Sequence, residues 1–405
     1  MAEPPPGPEE LRDLLALWLA RGVGPVRLQR LLERFETPAA VRAASSPELT
    51  RVRSISAKTA AAILDRDGLD RAVDDELAAI EKSGAHVVVR GGPGYPPLLE
   101  PLPDAPPLLV VRGRLELAAA EPLNDLTPLA VVGSRRATHY GLEQTARFAG
   151  GVARSGHTIV SGGARGIDRA AHEAALKCGG RTIAVLGCGL GRVYPPEHAE
   201  LYDAIAAQGA VVSELPMNTA PAAENFPSRN RIISGLSLAV LVVEAGLRSG
   251  ALITARVAVE EQGRDAMAIP GRVDDAASAG TLELIKRGGG ALVTEPAEAV
   301  TTIREIARTW GVPVAGAHGS SPHTTASPTQ ESQDAPSPSN AEACAAHQPI
   351  LVAMGRGASF DELLDRLDIS ASRLRSELAL LEIDGLIERS GDILRPRTGE
   401  MPQKK

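Results

Sequence analysis

The chain of 405 residues has 43 Lys and Arg against 50 Asp and Glu, a formal net charge of -7 at pH 7. This excludes a protein coated in positive charge and confines any nucleic-acid contact to a local basic patch. Three cysteines without metal-ligand spacing and the lack of a long apolar run predict a cytoplasmic protein with no disulfide framework, metal site or membrane span.

Residues 1–84 have the pattern of a small helical module. The amphipathic runs LRDLLALWLA and VRLQRLLERF flank the turn RGVGP. Residues 22–25 resemble a helix-hairpin-helix turn, whose backbone N–H groups can hold a DNA phosphate. An ordinary turn between two helices is the alternative.

Residues 85–311 predict an α/β core. HVVVR and PLLVVRG are typical of strands, and from Pro128 onward strands and helices alternate. Because this alternation is typical of βαβ units, we predict a Rossmann-like, doubly wound parallel sheet. The Val- and Leu-rich run LAVLVVE, which ends at Glu244, predicts a strand buried on both faces, and Ser249 is placed to cap the next helix.

The C-terminal part has a different composition. Residues 312–347 are rich in Ser, Pro, Thr and Ala and predict a flexible linker. Residues 348–398 have the pattern of a winged-helix module. Its third helix would expose basic and acidic side chains alike, so DNA binding and a protein-contact or self-association role both stay open.

Turns rich in small residues follow the predicted strands of the core. Ligands bind at the carboxyl ends of parallel strands, where glycine lets the backbone approach an anion. Arg135, in the turn GSRR, can hold a phosphate through two N–H groups. SGGARGID lacks the Lys of a P-loop, and GCGLG is not the GxGxxG fingerprint, so no nucleotide cofactor is predicted.

Phe226 precedes two arginines, Arg229 and Arg231, in a stretch that we expect to be a polar loop. On a helix, residues two apart point to nearly opposite sides. Either the segment is irregular, or one arginine faces the ligand while the other binds a buried carboxylate such as Glu244. An aromatic ring beside arginines is typical of single-strand binders. A hydrophobic anchor for the loop is the alternative for Phe226.

Six segments in this order closely resemble the DNA-processing protein A family (DprA, also called Smf): GSR, SGGARGID, FPSRNRIISGLS, EAGLRSGALITA, PG and SAGTLELI. The resemblance implies a homodimer without catalytic activity or cofactor that binds and protects incoming single-stranded DNA and helps load the RecA recombinase during natural transformation. By that analogy the DNA site comprises Ser134, Arg135, Gly163, Arg165, Phe226, Arg229, Asn230, Arg231, Ser249 and Gly250.

The sequence departs from the family pattern at one point of the DNA site. Many members of the family carry a basic residue shortly before the Phe, and residues 221–224 supply none.

Two other functions stay open at this point. A nucleotide phosphoribohydrolase of the lysine-decarboxylase-like group would use Glu244 as acid or base, but only Pro270 and Gly271 of its PGGxGT signature occur. An adaptor working through its winged helix is the third hypothesis.

Overall fold

The computed structural model describes residues 7–117 and 124–312 and, in the C-terminal part, positions between 354 and 396. The chain divides into two compact units, residues 1–319 and 320–405. Among the described residues, no helix is long and apolar enough to cross a membrane.

From residue 7 onward, where the structure describes the helical module, it forms six α-helices, several of which begin at a proline or a capping side chain. Thr37, Ser56 and Asp65 each accept a backbone N–H of the first turn that would otherwise lack a partner. The helices are α1 (Pro8–Leu19), α2 (Pro25–Phe35), α3 (Pro38–Ala43), α4 (Ser46–Thr50), α5 (Ala57–Leu64) and α6 (Arg66–Lys82).

The core is a nine-stranded sheet in the order β1-β2-β6-β5-β4-β3-β7-β8-β9. Its strands are β1 (Ala85–Val89), β2 (Leu108–Gly113), β3 (Asn124–Val132), β4 (His157–Ser161), β5 (Thr182–Val185), β6 (Ala210–Ser213), β7 (Ala239–Val242), β8 (Asp265–Ala268) and β9 (Ala291–Leu292). The pairs from β6 to β9 are parallel. The doubly wound α/β prediction is confirmed, with one correction: β1 and β2 extend the sheet in antiparallel fashion.

Helices cover both faces of the sheet. They are α7 (His139–Arg154), α8 (Ile167–Lys177), α9 (Ala199–Gln208), α10 (Asn225–Gly235), α11 (Gly250–Arg256), α12 (Ala279–Lys286) and α13 (Pro296–Thr309). Phe148 of α7 and Ile303 of α13 pack in one apolar layer with β3 and β7, and Ile232 of α10 packs in the other. All nine residues of β3 are buried, as a strand covered on both faces requires.

The segment after Glu224 corrects a second expectation. We expected Phe226 in a polar loop, but it lies in the first turn of α10. The helix as a whole is weakly amphipathic, yet Ile232 and Ile233 near its end are fully buried against the sheet. Tertiary packing therefore decides the helix where the local pattern is ambiguous.

The helical module packs onto the edge of the core that carries β1 and β2. Trp18 donates its indole N–H to the carbonyl of Glu214, at 3.1 Å, and Glu76 accepts the backbone N–H of Met217, at 2.7 Å. Leu108 and Val110 of β2 share an apolar cluster with the module. Module and core thus form one compact unit.

In the C-terminal unit, β10 (Ala358–Ser359), β11 (Ile387–Ser390) and β12 (Ile393–Pro396) form an antiparallel sheet in the order β10-β12-β11. The hairpin expected in ERSGDILRPR is β11 and β12. The predicted linker lies outside the described residues from 313 onward, as does most of the predicted third helix of the winged-helix module.

Candidate functional site

A cleft of about 1050 Å³ opens at the carboxyl edge of the sheet. It lies where the strand order reverses, because β4 follows on one side of β3 and β7 pairs on the other. Its walls are the turns after β3 and β7, the start of α10 and residues 276–279. Its cationic lining residues are Arg135, Arg136, Arg229 and Arg248, against one carboxylate, Asp168, in the described part of the chain.

Backbone hydrogen bonds fix the turn that carries Arg135. The N–H of Ser134 donates to the carbonyl of Glu244 at 2.8 Å, and the carbonyl of Ser134 accepts the N–H of Ile167 at 3.1 Å. Gly166 has a φ of 77°, and a Cβ there would lie 2.2 Å from the Ser134 oxygen, so only glycine fits. The turn is rigid while the Arg135 side chain is exposed.

Phe226 presents a half-buried ring at the cleft. The Arg135 guanidinium lies 5.0 Å from the ring centroid, and the Tyr194 ring lies 5.7 Å from it at 46°. Gly187 forms the floor, because a Cβ there would come within 2.8 Å of the ring. A cation and an aromatic ring are therefore in contact at the cleft, and such a pair can hold a phosphate and a neighbouring base.

Arg229 lies beneath the cleft with only 4% of its surface exposed. One of its Nη atoms donates to the carbonyl oxygens of Gly162, at 2.6 Å, and Val185. Burial lowers the pKa of Arg229, an effect that the charge of Asp168 opposes. Burial likewise raises the pKa of Asp168. This arginine braces the glycine turn after β4 from below and gives the cleft a fixed positive charge.

Arg231 does not line the cleft. It pairs with Glu214 and, at 3.3 Å, with Asp104. Because α10 is a regular helix, the two arginines diverge, as expected for a spacing of two. Of the two alternatives, the structure favours one arginine in the cleft and one tied to a buried carboxylate, and the carboxylate is Glu214.

Glu244, which the sequence analysis gave as an example of such a carboxylate, contacts Thr138 and not an arginine. Glu244 is buried at the end of β7, and its carboxylate accepts the backbone N–H of Thr138, at 3.2 Å, and the Thr138 hydroxyl. Thr138 in turn caps α7. Glu244 thereby joins the β7 end to the start of α7.

A smaller pocket of about 160 Å³ adjoins the cleft across Phe226 and holds two more of the predicted site residues. Gly163 has a φ of 64° and its carbonyl accepts the Tyr202 hydroxyl at 2.9 Å. Arg165 lines this pocket but is bound through Nε and Nη2 to Glu197, at 2.5 and 3.1 Å.

The remaining predicted residues lie at the cleft. Asn230 donates to the carbonyl of Gly250 at 3.4 Å, joining α10 to α11. Ser249 caps α11 as expected, accepting the N–H of Ala251 at 3.3 Å. The Ser134 hydroxyl accepts the N–H of Arg136 at 3.2 Å and so stabilises its own turn.

Several lining residues are absent from the site predicted from the sequence, among them Arg136, Tyr194, Leu247 and Arg248. Three of them stand in motifs already singled out, GSRR and EAGLRSG, so proximity to those turns could have found them. Tyr194 gave no such signal, since it reaches the cleft only through the long connection between β5 and α9.

Comparison with known proteins identifies the core. The family model described as DNA recombination-mediator protein A matches residues 86–304, which is more than half of the chain. The chain belongs to this family. Models of the DprA winged helix domain and of a SAM-like helix-hairpin-helix tandem match residues 333–392 and 11–66.

Relatives and a solved structure agree with this membership in the DprA family. Protein Smf of Synechocystis is 40% identical over 285 residues, covering 69% of this chain and 70% of that protein. DNA processing protein DprA of Bacillus subtilis is 38% identical over 216 residues, covering 53% and 71%. The X-ray structure of DprA from Streptococcus pneumoniae superposes with a TM-score of 0.60 at 33% identity, covering 72% of this chain and 97% of that one.

Proposed function

We propose that the cleft binds single-stranded DNA, and that this DprA-family chain is a recombination mediator that protects incoming strands and helps load RecA during natural transformation. The observation that carries the proposal is the Phe226 ring, which has both Arg135 and Tyr194 beside it, at a cleft with four lining arginines. A base can stack on the ring while Arg135 holds the adjacent phosphate.

The electrostatic setting supports the same ligand. The whole chain has a formal net charge of -7. The cleft, with four lining arginines and one lining aspartate, is therefore a positively charged region on a negatively charged protein. Such a local patch attracts a polyanion to one place on an acidic protein. The bases of single strands are free to stack, whereas a duplex hides them, so the half-buried ring favours single strands.

The mediator role rests on family membership, described as DNA recombination-mediator protein A. RecA as partner, a homodimer and a cytoplasmic site of action belong to the same proposal. They are tested by whether the purified chain sediments as a dimer and speeds assembly of RecA on coated single strands, beside a variant that cannot bind DNA.

The proposal contains no catalytic step. Glu244 is the candidate acid or base of a phosphoribohydrolase. Its carboxylate accepts hydrogen bonds from Thr138, and it is not among the residues that line the cleft. A general acid or base must reach the reacting atom. Incubation with AMP should therefore release no adenine.

The test of the binding site is fluorescence anisotropy with labelled oligo-dT and its duplex, over a series of salt concentrations. We expect Arg135→Ala to weaken oligo-dT binding by about tenfold or more and to reduce the dependence on salt, because one phosphate contact is lost. Arg308→Ala is the matched control, an exposed arginine on α13 outside the cleft. Equal affinities of the two variants would refute the proposed site.

A further inference from the structure

A short segment of the core, residues 214–219 after β6, is held by the helical module, and we call it the bridge segment. Trp18 of α1 donates its indole N–H to the carbonyl of Glu214, and Glu76 of α6 accepts the backbone N–H of Met217. The Met217 side chain is buried in the apolar cluster of the module. The module therefore fixes the bridge segment at two points along its length.

The bridge segment holds α10, the helix that carries Phe226 in its first turn. Arg231, in the second half of this helix, forms an ion pair with the buried carboxylate of Glu214 and a second one with Asp104, at 3.3 Å. A buried ion pair resists separation, because moving one partner away leaves the other charge without compensation. The position of α10, and with it that of the Phe226 ring, therefore depends on where Glu214 lies.

The connection from residue 187 to residue 194 lies on the other side of the Phe226 ring. Gly187 forms the floor beneath the ring, and the Tyr194 ring stands beside it with the two centroids 5.7 Å apart. The carbonyl of Tyr194 accepts the Tyr202 hydroxyl at 2.8 Å. This connection therefore shapes the surroundings of the ring without belonging to α10.

The same connection is bound to the bridge segment through its backbone. The N–H of Gly189 donates to the carbonyl of Thr219 at 3.0 Å, and the N–H of Gly191 donates to the carbonyl of Met217 at 2.9 Å. A Cβ on Gly189 would lie 2.0 Å from a carbonyl oxygen of the bridge segment, so glycine is required for this close approach. Both sides of the Phe226 ring are thus tied to one segment, and the module holds that segment.

We propose that Trp18 and Glu76 of the helical module are positioning residues for base stacking in the cleft, acting through the bridge segment on Phe226 and Tyr194. Neither residue lines the cleft. The turn of Arg135 is fixed by hydrogen bonds to other parts of the core, so phosphate binding does not depend on the bridge segment. The inference rests on the proposed function of the cleft and assigns the module a part in it.

The test uses the full chain and labelled oligo-dT. Trp18→Phe keeps an apolar ring in the cluster of the module but removes the N–H that binds the bridge segment. We expect oligo-dT affinity to fall about fivefold, with the dependence on salt unchanged because no phosphate contact is lost. Trp310→Phe is the matched control, the same substitution at the other tryptophan of the chain, which lies at the end of α13 and does not line the cleft.

A second pair of variants tests the other anchor. Glu76→Leu removes the acceptor of the Met217 N–H and should lower oligo-dT affinity, whereas Glu76→Gln keeps a carbonyl acceptor and should bind as wild type does. Equal affinities of the two Glu76 variants, or a Trp18→Phe affinity equal to that of Trp310→Phe, would overturn the proposal. Urea unfolding checks that each variant is folded.

Two further measurements separate positioning of the ring from a general loosening of the structure. An abasic oligonucleotide of the same length carries the phosphates without the bases, so Trp18→Phe should bind it as wild type does. The double variant Trp18→Phe with Phe226→Leu should bind oligo-dT no more weakly than Phe226→Leu alone, because both changes act on one ring. An equal loss for the abasic strand, or additive losses in the double variant, would refute the positioning role.

The variants also distinguish failure of this inference from failure of the proposed function. If Phe226→Leu lowers oligo-dT affinity and Trp18→Phe does not, the cleft binds single strands without help from the module, and only the inference fails. If wild type and Phe226→Leu bind oligo-dT equally, no base stacks on the ring, and the proposed function fails together with the inference.

Discussion

The cleft and the hairpin surface are both basic regions of an acidic chain, yet they are built differently. We call hairpin surface the six cations beside the turns before α2 and α5 of the helical module: Arg21, Arg27, Arg30, Arg51, Arg53 and Lys58. The cleft gathers its arginines from three distant segments, sets one of them, Arg229, on buried carbonyl groups, and adds the ring of Phe226. The hairpin surface takes its cations from two short stretches that lie in contact, without an aromatic residue. The first therefore depends on packing and shape, and the second on charge alone.

The largest expected effect is a loss of stability when the buried arginine beneath the cleft, Arg229, is replaced. Arg229→Met removes the donor to Gly162 and Val185 and the positive charge that interacts most strongly with the buried carboxylate of Asp168. We expect the free energy of unfolding to fall by about 3 kcal/mol, because two buried carbonyl groups lose this donor and a buried carboxylate loses its main counter-charge.

Urea unfolding measures this loss. Arg308→Met is the control, an exposed arginine for which we expect a change within about 0.5 kcal/mol. A stability of Arg229→Met equal to that of the control would mean that Arg229 does not brace the glycine turn.

An intermediate effect separates ring stacking from hydrophobic anchoring at Phe226. Phe226→Leu keeps an apolar side chain over Gly187 but removes the ring. We expect oligo-dT affinity to fall by about 2 kcal/mol, roughly thirtyfold, with stability nearly unchanged and the salt slope preserved, because no phosphate contact is lost.

The control is Phe35→Leu, a half-buried ring on α2 with its own arginine, Arg34, at 5.7 Å. Binding by Phe226→Leu as tight as by wild type would leave the hydrophobic anchor as the role of Phe226.

The smallest effect concerns the smaller pocket beside the cleft. There Arg165 forms an ion pair with Glu197, whereas the cations of the hairpin surface form none with the described acidic residues. Glu197→Gln should raise oligo-dT affinity about threefold, because Arg165 is then released toward a phosphate. Anisotropy at low salt measures the change, with Glu305→Gln, an exposed residue of α13, as control.

The hydrogen bond from Arg165 lowers the pKa of Glu197 to about 2. A lowered carboxylate pKa means that the ion pair persists above that value and is lost only as the pH falls through it. The ratio of variant to wild-type affinity should therefore stay constant from pH 8 to pH 5. A ratio that changes with pH in this range would contradict the assigned pair.

The fold of most of the core could be predicted from local sequence patterns. Strand-helix alternation predicted the doubly wound sheet, since apolar runs and glycine turns are local signals. The same signals located Arg135 and the Ser249 cap at strand ends. The antiparallel β1 and β2 could not be predicted, because strand direction depends on where the chain returns to the sheet edge.

Other features followed from contacts between distant residues. The sequence by itself determined which residues are cationic, aromatic or small, and therefore that a basic cleft would form at the carboxyl ends of the strands. Only the tertiary structure decided that Arg229 lies under the cleft while Arg231 binds Glu214, and that Tyr194 meets Phe226. The physical reason is that the partner of a side chain is set by which distant segments pack together, and local pattern carries no information about that.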